Sequence, residues 1–340
     1  MNRKSMLLSS AVVAAGVGTA LWRKSRAMDL RNKVVLITGG SKGLGIAMAR
    51  EFAREGARLT LCARSADELD RARHDLASIT ADVHTEQCDV AYRDQVEQLV
   101  EDTLRREGRI DVLVNNAGLI HVGPVQTMNV EQFEEAMDVM FWGIVYGTLA
   151  VLPHMRERRS GRIVNITSIG GKVSVPHLTP YSCAKSAAAA FSEGMRAELH
   201  GTGIKVVTIA PGLMRTGSFL NAKFNGAEEG EAAWFSVSSS VPGLAMGAER
   251  AAGKIVEATR MGRAELILGT PAKLLARFNA LFPGATADLL GLVNHLLPRG
   301  GSQTKKGADT VALRRPLVHT LTTAGRAGAR EFLQPGPEGA

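Results

Sequence analysis

Thr38-Gly39-Gly40-Ser41-Lys42-Gly43-Leu44-Gly45 separates an apolar run at 34–38 from a segment with helical spacing at 44–54. Glycines at this point let the chain turn sharply and let the backbone approach a bound pyrophosphate. The first turn of a helix adds unpaired N–H groups and the positive end of the helix dipole. Because the stretch follows a predicted strand and opens a predicted helix, it indicates a dinucleotide-binding loop rather than an ordinary tight turn.

The chain continues in the same alternation as far as Gly269. Further apolar runs of strand length lie at 58–62, 83–88, 111–114, 162–167, 205–210 and 265–268. Segments with helical spacing lie between them, at 66–79, 93–106, 130–154, 180–200 and 248–261. Repeated βα units with continuous apolar strands predict an α/β fold. We expect a doubly wound parallel sheet, the Rossmann fold, with helices on both faces.

The net charge of +8 is concentrated at the two ends of the chain. Residues 1–33 hold seven Lys and Arg against one acidic residue, and residues 299–340 hold seven against three. The region between them is slightly acidic, which argues against a nucleic-acid groove and is compatible with tails at an anionic membrane surface. The three cysteines lack a CxxC spacing, and no His/Cys/Asp/Glu cluster has metal-ligand spacing, so we expect no metal site.

Residues 6–22 are an uncharged run with basic residues on both sides. This length is at the short limit for a membrane span. We expect residues 1–30 to be a hydrophobic N-terminal anchor. A secretory signal is one alternative, because Gly18-Thr19-Ala20 resembles a cleavage site, and a loosely ordered leader is the other.

The second predicted strand bears on the choice of cofactor. NAD sites usually place a carboxylate near the end of this strand, for the ribose 2′-hydroxyl. Here Leu61-Cys62-Ala63-Arg64 offers a cation instead, and Lys42 lies on the same side. Two cations suit a 2′-phosphate, so we expect NADP(H), although Arg64 could merely cap a surface helix. NADPH is a cytosolic reductant, which favours a membrane-associated protein with its catalytic domain facing the cytoplasm; a cytoplasmic protein is the alternative.

Ser168, Tyr181 and Lys185 are the predicted catalytic residues. Tyr181 and Lys185 are four residues apart on a predicted helix and therefore lie on one face, one turn apart. A tyrosine ordinarily titrates near pH ~10, and a nearby ammonium favours the phenolate and lowers that pKa. Ser168 ends the preceding predicted strand, where its hydroxyl could donate to a substrate oxygen. The pattern predicts proton transfer at a carbonyl or an alcohol.

The residues from about 34 to 269 resemble the motifs of the short-chain dehydrogenases/reductases. The shared motifs are the glycine-rich stretch, Cys88-Asp89-Val90, Asn115-Asn116-Ala117-Gly118, Ser168 with Tyr181-x-x-x-Lys185, and Pro211-Gly212 followed by Thr216. The resemblance implies cofactor contacts at Thr38, Gly39, Ser41, Lys42, Gly43, Leu44, Gly45, Arg64, Asp89, Val90, Asn116, Ala117, Gly118, Tyr181, Lys185, Pro211, Gly212 and Thr216.

The resemblance also implies individual roles. Asp89 would bind the adenine, Lys185 would hold the nicotinamide ribose, and Thr216 would hold the carboxamide. One position departs from the family pattern: Met140 stands where the family usually has a catalytic Asn, thirteen residues before Pro153. In the family this residue helps hold a water that links the lysine to solvent, largely through its backbone carbonyl. Met140 keeps the carbonyl and loses the amide, which predicts a slower or rewired proton relay.

Two regions fall outside the βα rhythm. Residues 213–245 follow a strand at the carboxyl edge of the sheet and are predicted to form a substrate lid. The lid aromatics suggest a hydrophobic carbonyl such as a lipid, steroid or retinoid-like molecule; they are Phe219, Phe224, Trp234 and Phe235. His121 and His177 border the predicted pocket, each as either a substrate contact or an ordinary loop histidine.

The remaining sequence divides the chain into four parts: 1–30, the Rossmann domain at 31–270, 271–298 and 299–340. Residues 271–298 are predicted to form an amphipathic helical extension, broken near Pro283-Gly284, whose apolar stripe belongs to the core, a dimer contact or a membrane surface. The polar and basic residues 299–340 are predicted to be disordered.

The predicted function is an NADP(H)-dependent oxidoreductase that interconverts a carbonyl and an alcohol on a small, hydrophobic molecule. Membrane association and a homo-oligomer are both compatible with the sequence. One alternative is a non-catalytic NADPH-binding or membrane-associated protein, supported only by Met140. The other is a nucleotide-sugar epimerase or dehydratase, which uses the same Tyr/Lys pair but usually carries a larger C-terminal substrate domain.

Overall fold

A computed structural model of the chain describes residues 27–301 and 303–334. The predicted anchor at 1–30 therefore lies almost wholly outside the described residues. Strands and helices alternate from the start, and the seven strands of the central sheet are β1 Val34–Thr38, β2 Arg58–Ala63, β3 Val83–Gln87, β4 Val112–Asn115, β6 Gly161–Ile166, β7 Ile204–Pro211 and β11 Glu265–Leu268. All neighbours pair in parallel, in the order β11-β7-β6-β4-β1-β2-β3. The predicted doubly wound parallel sheet is confirmed.

Helices cover both faces of this sheet. The α-helices of the described residues are, in chain order, α1 Gly43–Arg54, α2 Ala66–Leu76, α3 Arg93–Glu107, α4 Val130–Met137, α5 Gly143–Glu157, α6 Thr179–Glu198, α7 Glu228–Ser238, α8 Ala248–Met261, α9 Thr270–Leu281, α10 Pro283–Asn294, α11 Pro316–Leu321 and α12 Thr323–Glu331. Side chains alternate along each strand, so Val35 and Ile37 pack in the layer under α1 and α8, while Leu36 packs in the opposite layer. The sequence order reverses between β1 and β4, which is the switch point where open α/β sheets bind ligands.

The predicted helix at 130–154 is one continuous helical stretch, Val130–Glu157, in which a π-helical turn at Asp138–Trp142 joins α4 to α5. Within the described part of the chain, this is the one helix long and apolar enough to cross a membrane by length and composition. It packs against α3 and α6 inside the fold, and core helices satisfy the same criterion.

A small three-stranded sheet brings the C-terminal region onto the lid. Its central strand, β9 Lys223–Gly226, pairs in parallel with β5 His121–Val122 and antiparallel with β12 Gln303–Lys306. A second, two-stranded parallel pair joins the start of the lid, at β8 Met214–Arg215, to the residues that follow the lid, at β10 Met246–Gly247.

The prediction of a disordered tail is wrong for residues 303–334, which form β12, α11 and α12. Polar composition suggested disorder, but a few apolar side chains of this region are buried against other parts of the chain. Leu313 and Ala329 join the apolar cluster of the lid, and Phe332 joins the core beside α1. Surfaces supplied by the rest of the fold therefore order a segment that could not form a core of its own.

The extension α9–α10 keeps much of its apolar stripe exposed. Its exposed large side chains include Leu274, Phe278, Leu281, Phe282, Leu289, Leu292 and Leu296. Helix α9 ends at Leu281 and Pro283 begins α10, so the two helices are interrupted at Phe282.

Candidate active site

The glycine-rich loop at 38–45 has a backbone conformation that favours glycine at two positions. The φ angle of Gly39 is 62° and that of Gly43 is 58°, both in the left-handed region. A Cβ on Gly39 would lie 2.9 Å from the Cα of Ala117, and a Cβ on Gly45 would overlap the carbonyl oxygen of Gly39. The loop therefore keeps a bare backbone at the N-terminus of α1, as pyrophosphate binding requires.

Asn116 connects this loop to the end of β4. Its Nδ2 donates to the carbonyl oxygens of Thr38 (3.1 Å) and Gly39 (2.9 Å). The Thr38 hydroxyl oxygen accepts from the backbone N–H groups of Asn116 (3.0 Å) and Ala117 (3.2 Å). These bonds fix the loop across the switch point between β1 and β4.

The two cations predicted to bind a 2′-phosphate have different surroundings. Lys42 Nζ lies 2.6 Å from Oε1 of Glu68 in α2, and the Ser41 hydroxyl donates to the other carboxylate oxygen (3.1 Å). Arg64 is exposed. Glu68 is not predictable from the sequence pattern, because it and Lys42 are 26 positions apart and share no periodic signal. A phosphate approaching Lys42 would have to compete with this carboxylate.

Asp89 and Val90 follow β3, on the same edge as the glycine-rich loop. The backbone N–H of Asp89 donates to Gln95 Oε1 (2.8 Å), and its Oδ1 accepts from the N–H of Ala91 (3.1 Å). Val90 is buried, and a Cβ on Gly143 would lie 3.0 Å from its Cγ2. The turn after β3 is therefore held firmly in place.

Ser168 and Tyr181 meet over Gly170. Ser168 follows β6, and its Oγ accepts from the backbone N–H of Gly170 (3.0 Å). A Cβ on Gly170 would lie 3.1 Å from Tyr181 Cε1 and 3.5 Å from Ser168 Oγ. The absence of a side chain at this position leaves room for the Tyr181 ring beside the Ser168 hydroxyl.

Lys185 lies one turn after Tyr181 in α6 and is only 4% exposed. Its Nζ donates to the carbonyl oxygen of Ile166, at the end of β6 (2.7 Å), and lies 5.9 Å from the centroid of the Tyr181 ring. The three predicted catalytic residues thus lie together at the carboxyl end of β6.

Burial shifts the pKa values of both titratable residues. Burial raises the pKa of Tyr181 above its ordinary value, and the hydrogen bond with Ser168 lowers that pKa by a smaller amount. Burial lowers the pKa of Lys185 to about 8. Lys185 was expected to lower the pKa of Tyr181, but it does not. The burial of the Tyr181 hydroxyl determines the direction of the shift, and the Lys185 ammonium donates to the carbonyl oxygen of Ile166 instead.

Met140 lies in the π-helical turn and is fully buried. A Cβ on Gly118 would lie 3.6 Å from Met140 Sδ and 3.8 Å from Lys185 Nζ, so both side chains approach Gly118. Single π-helical turns are frequent at functional sites, because they displace the regular backbone hydrogen bonds. The position that departs from the family pattern is thus next to the buried ammonium.

The loop after β7 is fixed by backbone bonds. The N–H of Gly212 donates to the carbonyl of Leu268 (3.0 Å), which holds Pro211-Gly212 at the end of β11. Thr216 is buried, and its Oγ1 accepts from the N–H of Ser218 (3.3 Å). The loop places Thr216 on the carboxyl side of the sheet.

His121 is buried in an ionic cluster. Its Nε2 lies 2.9 Å from Glu135 Oε2, and Lys223 Nζ lies 2.8 Å from both oxygens of that carboxylate. Burial lowers the pKa of His121, although Glu135 opposes this effect. Glu135 therefore links α4 to His121 in β5 and to Lys223 in the lid strand β9.

His177 is buried as well, with a left-handed φ of 65°. Its Nδ1 lies 2.7 Å from Oε1 of the fully buried Glu231, and the Trp234 indole N–H donates to the other oxygen (2.6 Å). A buried histidine–carboxylate pair thus joins the loop before Tyr181 to lid helix α7. Neither histidine is an ordinary exposed loop residue.

The lid aromatics do not provide the evidence for an apolar pocket that the sequence suggested. Phe219, Phe224 and Phe235 are at most 5% exposed and pack in one cluster with Leu313. Trp234 is partly buried against the same cluster. These rings stabilise the lid, and their presence says little about the substrate.

Comparisons with known proteins agree with this geometry. A family profile described as short chain dehydrogenase matches residues 33–225. Similar curated proteins include a Dehydrogenase/reductase SDR family protein 7-like of Anopheles gambiae (39% identical over 209 residues; 60% of this chain, 66% of that protein). Dehydrogenase/reductase SDR family member 7B of Mus musculus is 37% identical over 198 residues (57% of this chain, 61% of that protein). The match spans less than two thirds of the length of both relatives.

Solved structures give the same result. A short-chain dehydrogenase from Streptomyces avermitilis aligns with a TM-score of 0.67 and 32% identity, over 78% of this chain and 98% of that one. L-Sorbose reductase from Gluconobacter frateurii, solved in complex with NADPH and L-sorbose, aligns with a TM-score of 0.63 and 26% identity, over 71% of this chain and 97% of that one.

Proposed function

Because the chain belongs to the short-chain dehydrogenase family, we propose that it is an NADP(H)-dependent oxidoreductase that interconverts a carbonyl and an alcohol. The observation that carries this proposal is the meeting of Ser168, Tyr181 and Lys185 at the carboxyl end of β6, on the same edge of the sheet as the glycine-rich loop.

The residues at that edge fit a nicotinamide dinucleotide. The bare backbone at Gly39, Gly43 and Gly45 suits a pyrophosphate, because a Cβ at Gly39 or Gly45 would meet the backbone of the loop or of Ala117. Thr216, Asp89 and the Asn116 turn lie at the ends of neighbouring strands, where they would hold the rest of the molecule. When bound, the cofactor supplies or accepts the hydride.

Tyr181 is the proton donor in the direction of reduction. Burial raises its pKa, so its hydroxyl stays protonated at neutral pH and is available as an acid. As the carbonyl carbon gains a hydride, its oxygen takes the Tyr181 proton, and Ser168 donates a hydrogen bond that favours the developing negative charge.

Lys185 returns the proton to Tyr181. With a pKa of about 8 it is an ammonium at neutral pH, yet it gives up a proton far more easily than an exposed lysine. The exchange of protons with solvent passes Met140, whose buried thioether replaces the family's amide and is expected to slow this relay.

Two cations support NADP(H) over NAD(H), namely Lys42 and Arg64. The similar L-sorbose reductase was solved with NADPH. Glu68 opposes this preference, because it neutralises Lys42. We therefore propose a preference for NADP(H) that is weaker than two free cations would give.

We propose a small, hydrophobic carbonyl or alcohol as the substrate. Partly buried apolar side chains next to Tyr181 and the lid support this class, among them Leu119, Ile120 and Leu178. The exposed apolar stripe of α9–α10 and the basic ends of the chain support membrane association, with the catalytic domain facing the cytoplasm. The same stripe is compatible with a homo-oligomer.

The test is consumption of NADPH by the purified chain with matched carbonyl compounds: a long-chain aldehyde, an apolar ketone and L-sorbose. We expect consumption with the apolar compounds and little with the sugar. NADPH binding without consumption of any carbonyl would support the non-catalytic alternative instead. Faster turnover of the sugar would remove the hydrophobic substrate class and leave the reaction type intact.

A further inference from the structure

Residues 323–334 cross the opening between two loops assigned above to the cofactor. Helix α12 lies directly on the turn at 215–217: a Cβ on Gly328 would overlap the carbonyl oxygen of Arg215, and a Cβ on Gly217 would overlap Ala329. The backbones approach this closely because Gly328 and Gly217 have no side chain. This turn carries Thr216, the proposed carboxamide contact.

The described residues that follow α12 contact the glycine-rich loop. The carbonyl oxygen of Phe332 accepts from the backbone N–H of Gly43 (2.7 Å). Gly43 is the first residue of α1, so its N–H is one of the donors that the first turn of a helix offers to an anion. A Cβ on Gly43 would lie 2.8 Å from Gln334 Nε2. The segment therefore occupies part of the surface that a pyrophosphate would need.

Several contacts anchor this segment. The Phe332 ring is 3% exposed, and the Arg50 guanidinium lies 5.4 Å from its centroid. Arg50 also donates to the carbonyl oxygen of Glu331 (2.8 Å). Asn221 of the lid donates to the side-chain oxygen of Gln334. Leu333 takes a left-handed φ of 56°, a conformation that non-glycine residues adopt only when surrounding contacts hold it.

We propose that residues 323–334 form an autoinhibitory strap that competes with the dinucleotide for the N-terminus of α1. This proposal rests on the proposed function, since it assigns the pyrophosphate to the glycine-rich loop. The Phe332 carbonyl oxygen and a phosphate oxygen cannot both occupy the position in front of the Gly43 N–H. Cofactor binding therefore releases the strap from the loop, and the closed strap weakens cofactor binding.

The size of the effect on the Kd for NADPH follows from the fraction of molecules in which the strap is closed. The apparent Kd of a ligand rises by the inverse of the fraction of molecules that can bind it. A strap that is closed in about nine molecules of ten raises the Kd for NADPH about tenfold. By reciprocity, bound NADPH disfavours the closed strap.

The first test compares the Kd for NADPH, measured by its fluorescence, among the intact chain, Phe332→Ala and a chain ending at Thr322. Phe332→Ala removes the buried anchor of the strap. Leu317→Ala is the matched control, because Leu317 is 72% exposed in α11 of the same C-terminal region. We expect both strap variants to bind NADPH about tenfold more tightly and the control to bind as the intact chain does. Unchanged or weaker binding in folded strap variants would overturn the strap.

The second test uses the intact chain, so it does not depend on a variant that folds. Amide hydrogen exchange is followed with and without NADPH at Phe332 and Gln334, whose N–H groups donate to Gly328 and Ala329. We expect NADPH to speed exchange at these amides. Slower exchange would mean that the segment covers the bound cofactor, and would overturn the competition. If NADPH does not bind to any of these chains, the proposed function fails, and the strap fails with it.

Discussion

The sheet domain and the C-terminal region from residue 270 to 334 use their apolar residues in opposite ways. In the sheet domain, large side chains such as Phe52 and Ile37 are fully buried between the sheet and the helices that cover it. In the C-terminal region, Leu281 is 72% exposed and Leu296 is 85% exposed, while Phe332 is buried in the core beside α1, which is distant in the sequence. The sheet domain contains the candidate site, and the C-terminal region packs against that domain. In the proposals above, the sheet domain carries out the chemistry and the C-terminal region controls access of the dinucleotide.

The largest expected effect lies in the sheet domain. Tyr181→Phe removes the proposed proton donor and is expected to lower kcat/KM by about 10²–10⁴-fold, while the Kd for NADPH stays nearly unchanged. Tyr92→Phe is the matched control, since Tyr92 is 58% exposed at the start of α3. Steady-state kinetics with titration of NADPH measure both quantities. A Tyr181→Phe enzyme with full activity would remove Tyr181 from the mechanism.

The second prediction compares the packing of the two regions. Phe52→Ala in α1 is expected to lower the free energy of unfolding by about 3–5 kcal/mol, because it leaves a cavity in a close-packed layer. Phe282→Ala, at a side chain 55% exposed between α9 and α10, is expected to change it by less than about 0.5 kcal/mol. Urea unfolding measures both. A large loss at Phe282 would show that another surface covers α9–α10 in solution.

The third prediction concerns the pH dependence of stability. The pKa of Lys185 is about 8 in the folded protein and has its usual, higher value in the unfolded chain. Between these values the unfolded chain binds more protons, so the free energy of unfolding rises with pH from about 8 upward. The total rise is about 3 kcal/mol. The raised pKa of Tyr181 acts in the opposite direction only above pH ~10, where the unfolded tyrosine ionises.

Urea unfolding from pH ~7.5 to ~9.5 tests this dependence. Lys185→Met should lack the rise, and should be more stable than the natural chain at the lower pH, because no ammonium is buried. Lys254→Met, at an exposed position in α8, is the control and should keep the rise. An equal rise in all three chains would assign it to other groups.

The smallest expected effect is on cofactor choice. Glu68→Gln frees Lys42 and is expected to improve kcat/KM for NADPH relative to NADH about two- to fivefold, which corresponds to about 0.4–1 kcal/mol for the loss of one ion pair. Asp70→Asn is the control on the same helix, because Asp70 pairs with Arg73 at the surface. A ratio that stays constant in Glu68→Gln would mean that Lys42 does not contact the 2′-phosphate.

The sequence predicted the sheet domain well because its signals are local. The run at 34–38 is β1 in full, and the predicted helix at 44–54 differs from α1 by one residue. Ser168, Tyr181 and Lys185 were also predicted from spacing, since the ends of parallel strands meet at one edge of the sheet. The π-helical turn around Met140 was not predicted, because one inserted residue hardly changes helical periodicity.

The C-terminal region was predicted poorly because its contacts are distant. β12 pairs with β9, about 80 residues earlier, and neither strand has enough residues to show alternation. The bond between Gly43 and Phe332 joins opposite ends of the described chain. The sequence around Leu313 and Phe332 is polar, so the burial of these two side chains was not predicted. Leu313 packs against the lid, and Phe332 packs beside α1. Glu68 escaped prediction for the same reason, because its ion pair with Lys42 depends on packing of α2 beside the loop.

Transfer of deuterium from labelled NADPH tests the central claim most directly. The intact chain is supplied with NADPH that carries deuterium at the transferable position and with the apolar carbonyl compound that it consumes fastest. We predict that deuterium appears on the carbinol carbon of the product, and that Tyr181→Phe, with NADPH bound, yields almost none in the same time. Bound NADPH with no deuterium on any product would contradict the account.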